Sequence, residues 1–292
     1  MFSDCLGIGE RMLDHNLTQE QRLDLLLDAF LRDSQVEREI PVPQDPAEKR
    51  GLLRALMNVR PPRPLDEDTL QLQDSFLKTL AEEKGIVFPE EIPSLAASGF
   101  SSVPWADCLS LWQGDITRLA VDAIVNAANS QMLGCFVPLH NCIDNCIHSY
   151  AGIQLRLDCA RQMNALRIRC GSRYEQPTAT PMLTEGYNLP AKKVIHIVGP
   201  VVESTLTKEQ EQELSDCYRN TLDLCLEKEL RTVAFCGIST GVFRFPKERA
   251  AEIAVQTVTD WLSAHPDKLE RVVFAVLSDR SREIYEDVLA RA

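Results

Sequence analysis

Two thiols, an imidazole and a carboxylate fall in one short run, Cys135-Phe136-Val137-Pro138-Leu139-His140-Asn141-Cys142-Ile143-Asp144. Two thiolates and an imidazole suit Zn²⁺. Pro138 keeps the run from forming one continuous helix, so Cys135, His140 and Cys142 can converge on an ion. Three protein ligands leave a tetrahedral ion one open position, the pattern of catalytic sites, whereas structural sites usually fill all four. The competing reading makes Cys135 and Cys142 buried apolar thiols. Cys146 and His148 continue the helix beyond Cys142 and are not assigned as ligands. His148 and His196 read as satisfied core histidines. Just upstream, Val121–Val125 reads as a strand running into the amides Asn126 and Asn129. These amides either cap a loop or fix the hydroxyls of a sugar.

Two further stretches carry chemistry. Gly114-Asp115-Ile116 follows an apolar run, Cys108 to Trp112. Its carboxylate either accepts from an amino group such as adenine N6 or stabilises a turn. Ser239-Thr240-Gly241-Val242-Phe243 lies between a strand ending near Cys236 and a helix opening at Pro246. Small residues there let backbone N–H groups face an anion, and Phe243 can cover a sugar or base. The alternative is a plain connecting loop.

These stretches need a scaffold. From Trp105 onward, apolar runs at 120–125, 193–198, 232–236 and 272–277 alternate with helical patterns at 142–163, 208–228, 246–263 and 280–291. This predicts an α/β fold with a mixed, mostly parallel sheet between helices, whose ligands bind beyond the carboxyl ends of the strands. Residues 1–90 read as helical. Thr18-x-x-Gln21 is a capping box, Asp45-Pro46 a helix start, and Asp66 to Lys84 a helix closed by Gly85. No ligand-like constellation occurs there, so the segment reads as a helical cap or partner surface. Residues 91–104, with Pro93, Pro104 and Ala96-Ala97-Ser98-Gly99, are expected to form a linker.

The chain of 292 residues has a formal net charge of −12 and no basic tract, which argues against nucleic-acid backbones as partners. No apolar run reaches a membrane span, and residues 1–16 lack the pattern of a secretory signal. With 10 cysteines, this predicts free thiols or metal binding in a cytoplasmic protein. The Cys135–Cys142 spacing lacks the Cys-x-x-Cys arrangement of thiol redox proteins.

Residues 105–292 resemble a macrodomain, the ADP-ribose-binding α/β/α module. The resemblance rests on Gln113-Gly114-Asp115-Ile116-Thr117, Ala123-Ile124-Val125-Asn126-Ala127-Ala128-Asn129, Gly186-Tyr187-Asn188-Leu189-Pro190 leading into Val194-Ile195-His196, and Ile238-Ser239-Thr240-Gly241. Ordinary macrodomain hydrolases follow the asparagine loop with glycines and Val-Asp. Here Gly134 is followed by the Cys135–Cys142 run and Ile143-Asp144, as in the zinc-dependent microbial subgroup, which also carries a helical N-terminal extension.

The resemblance implies a three-layer α/β/α domain over 105–292 with a mixed central sheet, preceded by a helical extension over 1–90. It implies one Zn²⁺ on Cys135, His140 and Cys142, and removal of mono-ADP-ribose from protein side chains, through acyl esters of acidic residues. A lipoylated carrier protein and a sirtuin-type ADP-ribosyl transferase are implied as associates. By the same resemblance Asp115 would bind the adenine amino group, with Ile116 as its backbone neighbour. Ser239, Thr240, Gly241, Val242 and Phe243 would hold the diphosphate and distal ribose, and Asn129 would contact that ribose. Cys142, Ile143 and Asp144 would complete the substrate site, with Asp144 and Asn129 catalytic. The reading leans to zinc holding and polarising the substrate while Asp144 assists a water. Competing readings are a non-catalytic ADP-ribose-binding module with structural zinc, and a hydrolase of O-acetyl-ADP-ribose.

Overall fold

The computed structural model describes residues 17–34 and 40–292. Residues 1–16, read above for a leader, and 35–39, within the expected extension, lie outside the described residues.

Three helices open the described chain: α1 (Gln19–Ser34), α2 (Pro46–Val59) and α3 (Glu67–Lys84). Their starts follow local chemistry. Thr18 and Gln21 form the reciprocal capping pair, at 2.8 and 3.2 Å. Asp45 accepts from the N–H groups of Ala47 and Glu48, with Pro46 in the first turn. Asp66 caps α3, which ends at Gly85 with φ 80°. The helices share a core of Leu23, Leu26, Leu27, Phe30, Leu53, Leu56, Met57, Leu72, Phe76 and Leu77. Ile153, from the following domain, completes that core, so the extension is seated on its neighbour.

The sheet has six strands: β1 (Leu109–Gln113), β2 (Ala123–Ala128), β3 (Met182–Glu185), β4 (Lys193–Val198), β5 (Thr232–Phe235) and β6 (Arg271–Val276). Their order is β1-β6-β5-β2-β4-β3, parallel except for β3, which runs antiparallel to β4 at the edge. Central strands read as unbroken apolar runs because helices cover both faces. Those helices are α4 (Ile143–Ala151), α5 (Ile153–Cys170), α6 (Lys208–Glu227), α7 (Lys247–Ala264) and α8 (Asp279–Leu289). Helix α4 packs on β2 and α5 on β3, while α6 packs on β4 and α8 on β1. The architecture is the three-layer α/β/α arrangement with a mixed sheet that the sequence predicts.

Four expectations change. The helix expected over 142–163 breaks at Gly152, where φ is 95° and an added Cβ would lie 2.7 Å from Gln73 Nε2. Only glycine accommodates both the backbone and that contact. Strand β2 continues through Asn126 to Ala128, so Asn126 is a fully buried strand residue, not part of a loop. Residues 91–104, expected as a linker, place Ile92, Leu95 and Val103 in the core of the sheet domain. Strand β3, which supplies the antiparallel edge of the mixed sheet, lies where the sequence reading placed no strand.

Among the described residues, no helix is long and apolar enough to cross a membrane.

Candidate active site

Helix α4 organises the site. Its N-terminus follows the cysteine–histidine run, and Cys142 caps it by accepting the Asn145 N–H at 3.4 Å. Cys135, His140 and Cys142 bring their ligand atoms within 4.8 Å of one another, and all three are half-buried. Cys135 Sγ lies 3.6 Å from His140 Nδ1. Burial, with Cys135 alongside and against the Asn145 N–H, pushes the Cys142 thiol up to about 12. Crowded, half-buried soft donors of this kind fit a divalent cation, which would favour their deprotonated forms. The donor set fits zinc.

Asp144 sits in the first turn of α4, buried at 5 % exposure. Asn126 Nδ2 donates to its Oδ1 at 2.8 Å, and Asn129 Nδ2 approaches Oδ2 at 3.3 Å. Burial pushes this carboxyl up to about 6, although Asn126 and the Arg156 charge pull the other way. An isolated surface aspartate stays near 3.9. A carboxyl held above its ordinary range is more basic than usual, as a proton acceptor requires. Asn126 is the residue whose importance the sequence understated. Its amide also meets His196 Nδ1 at 3.0 Å, so one strand side chain ties the Asp144 carboxylate to a core histidine. The signal was a single amide inside the apolar run Ala-Ile-Val-Asn-Ala-Ala of β2.

His196 is satisfied in the core, with Asn126 on one ring nitrogen and Thr184 Oγ1 at 3.0 Å on the other. His148 is a correction. It is buried, but neither ring nitrogen makes a hydrogen bond, and Nε2 stands 3.6 Å from Asp144 Oδ1. Burial, with His196 and Arg156 nearby, holds its imidazole well below the ordinary value, hence neutral. Its ring explains Gly134: a Cβ there would lie 2.7 Å from the ring, at a φ of 80°. His148, Cys159 and His196 form a second ligand-type group, wholly buried. Both His196 nitrogens are already engaged, which marks it as core.

Asp115 caps the short turn 116–118, accepting from Thr117 N at 3.0 Å and Thr117 Oγ1 at 2.6 Å. Its other oxygen meets Lys84 Nζ, from α3, at 2.6 Å. Burial raises this carboxyl, but the Lys84 and Thr117 donors outweigh it and leave the value lowered. Lys84 also lies 3.6 Å over the Tyr150 ring of α4, and the turn that contains the buried Ile116 packs on α4. Lys84 was not anticipated, because no local pattern ties it to Asp115.

The loop after β5 approaches from the neighbouring strand. Ser239 has φ 61°, and its buried Oγ has no hydrogen-bond partner. The loop is braced by Phe245 N to Ser239 O at 3.0 Å and Val202 N to Phe243 O at 2.9 Å. Among the described residues, no protein acceptor takes the N–H groups of Gly241, Val242 and Phe243. Val242 is 72 % exposed. A loop with unclaimed N–H groups suits an anion. Asp144, Asn129, Ile143 and the metal-type triad thus gather around the N-terminus of α4. Asp115 is tied to the other end of α4, through Lys84 over Tyr150, and residues 239–243 follow β5, the strand beside β2.

A mostly parallel sheet thus carries, along one loop-rich edge, an asparagine-held carboxylate and a loop with unclaimed N–H groups. The chain belongs to the macrodomain family. The Macro domain family matches residues 125–254. The "Protein-ADP-ribose hydrolase" of Treponema medium is 41 % identical over 274 residues, covering 94 % of this chain and 100 % of that protein. The protein of the same name from Staphylococcus aureus (strain Mu50) is 39 % identical over 275 residues, covering 94 % of this chain and 97 % of that protein. The Trypanosoma brucei macrodomain in complex with ADP-ribose is similar in structure, with a TM-score of 0.60 and 27 % identity, covering 84 % of this chain and 96 % of that chain.

Proposed function

We propose that the protein is a zinc-dependent hydrolase that removes mono-ADP-ribose from modified protein side chains, with esters of acidic residues as the preferred linkage. The observation that carries this reading is Asp144: a buried carboxylate pushed up to about 6, held by two asparagines and two residues beyond Cys142. The names and full-length coverage of the Treponema and Staphylococcus relatives support the substrate class.

In this reading residues 1–90 form an extension and 105–292 the catalytic macrodomain, with 91–104 packed into the core of the latter through Ile92, Leu95 and Val103. Asp115 accepts from the adenine amino group, with Ile116 as its backbone neighbour. The 239–243 loop takes the diphosphate through its backbone and the distal ribose beside Phe243. Asn129 fixes a hydroxyl of that ribose, with Cys142 and Ile143 alongside. Asp144 orients a water and receives its proton as the water oxygen bonds to the anomeric carbon of the distal ribose; the bond from that carbon to the side-chain oxygen breaks, and the protein carboxylate leaves with the bonding pair, giving free ADP-ribose. Zinc, held by Cys135, His140 and Cys142, would supply Lewis acidity at this end of the cleft.

Specificity tests the reading. The protein is presented with polypeptides mono-ADP-ribosylated on Asp/Glu, Ser or Arg, and free ADP-ribose is measured. Release is expected from the acidic-residue ester at least about tenfold faster than from the others, a difference of about 1.4 kcal/mol in the barrier. Release confined to Ser- or Arg-linked substrates overturns the ester assignment.

A second expected result concerns the nucleotide end. Asp115→Asn keeps the oxygen that caps the 116–118 turn but loses the charged acceptor. Hydrogen bonds to charged groups contribute about 1.5–3 kcal/mol. ADP-ribose affinity, read by titration calorimetry, is expected to fall about 10- to 100-fold.

A further inference from the structure

The Cys135–Cys142 loop does not hold itself. Between its first and last sulfur, its backbone is pinned from outside at several points, and two of these contacts come from α2. Leu139 has a left-handed φ of 57°. Its N–H donates to Asn58 Oδ1 at 3.0 Å. The His140 carbonyl accepts from Arg54 Nη2 at 2.8 Å. The same Arg54 nitrogen meets Asn145 Oδ1 at 2.8 Å. Asn145 in turn donates to the carbonyls of Cys135 and Val137, at 3.2 and 2.9 Å. Arg54 therefore holds one ligand residue directly and orients the side chain that holds another.

The anchor is itself anchored. Asn58, 1 % exposed, donates to Ser149 Oγ of α4 at 2.9 Å. Arg156 of α5 donates to the carbonyls of Met57, Asn58 and Arg60 at the end of α2, at 3.0, 2.9 and 2.6 Å. Its Nε reaches the Leu133 carbonyl at 2.8 Å, just ahead of the loop. Short side chains such as cysteine can place a sulfur only where their backbone allows. A donor set of three in an irregular loop therefore depends on what fixes the main chain.

We propose that Arg54 and Asn58 are positioning residues for the metal loop, and that the N-terminal helical unit is thereby a working part of the site. A guanidinium fork suits this task because it spends several donors in fixed directions, which an ammonium cannot copy. The inference rests on the proposed metal site for its consequence, but the positioning itself can be read without metal.

The test uses the full chain. In the zinc-free protein, amide hydrogen exchange of residues 135–142 is compared among the parent, Arg54→Met, Arg54→Lys and Asn58→Ala. Zinc affinity is then measured by competition with a chromogenic chelator. Arg54→Met is expected to speed exchange in 135–142 while strand 123–128 stays protected, and to weaken zinc about 10- to 100-fold, the range for groups that orient ligands. Arg54→Lys is expected to fall between it and the parent, and Asn58→Ala to loosen the same segment from the other contact. ADP-ribose affinity is expected to stay within about threefold, which a general loss of structure would not allow. If Arg54→Met does not fold, Arg54→Lys and Asn58→Ala carry the test. Unchanged loop exchange in the folded variants overturns the inference. A parent protein that takes up no zinc overturns the metal reading, and the exchange arm still decides the positioning.

Discussion

His140→Ala is expected to lower hydrolysis of an ester-linked ADP-ribosyl protein by about a thousandfold or more, while ADP-ribose affinity changes by less than about tenfold. Of the three proposed ligands, His140 is the one whose replacement disturbs least else. Its backbone carbonyl still accepts from Arg54, and among the described residues its ring meets only Cys135 in the hydrogen-bond network. Cys142, by contrast, also caps α4, so its loss would mix chemistry with helix stability. A metal that polarises a substrate oxygen contributes several kcal/mol to the transition state, and each 1.36 kcal/mol is tenfold in rate, hence the magnitude. The proposed nucleotide end, at Asp115 and 239–243, follows β1 and β5 and is untouched by the substitution. Zinc content by atomic emission and initial rates on one preparation check the result. Full turnover with zinc absent would remove the metal from the reaction.

Asp144→Asn is the second large effect. The substitution keeps the shape but presents an amide to a pocket built from two amide donors, Asn126 Nδ2 and Asn129 Nδ2. It removes the only feature that lets residue 144 take a proton. General-base catalysis contributes about 10²- to 10⁴-fold, so kcat is expected to fall by that range. Zinc content is expected to match the parent, since Asp144 is not among the three converging donors. A kcat within threefold of the parent, at full zinc occupancy, would show that Asp144 only shapes the cleft.

Local rules were readable in the sequence. Capping at Thr18, Asp45 and Gly85, and the apolar run of β4, depend on residues a few positions apart, and the structure shows them in place. Long-range features were not. Strand β3 is a short edge with one antiparallel partner and a weak apolar pattern, so nothing local separates it from a loop. The break at Gly152 is met by Gln73 from α3, whose Oε1 accepts from Ile153 N at the start of α5. Residues 91–104 are rich in turn residues, yet they bury Ile92, Leu95 and Val103 because the sheet leaves space for them. At the site, the donor types and their order along the chain were legible. The supports were not. Arg54, Asn58 and Lys84 act across dozens of residues of sequence, and Asn126 acts from inside a strand.

On the proposed function, ester-linked ADP-ribose is released at the N-terminus of α4, beside the triad and Asp144. The measurement that bears on it most directly is single-turnover release of ADP-ribose from an acidic-residue-modified polypeptide. It is followed with one protein preparation as purified, after chelator stripping, and after stoichiometric zinc is restored. The account predicts release that tracks zinc occupancy, lost on stripping and recovered on reloading, with ADP-ribose binding retained throughout. Equal release by the stripped and reloaded protein would contradict it.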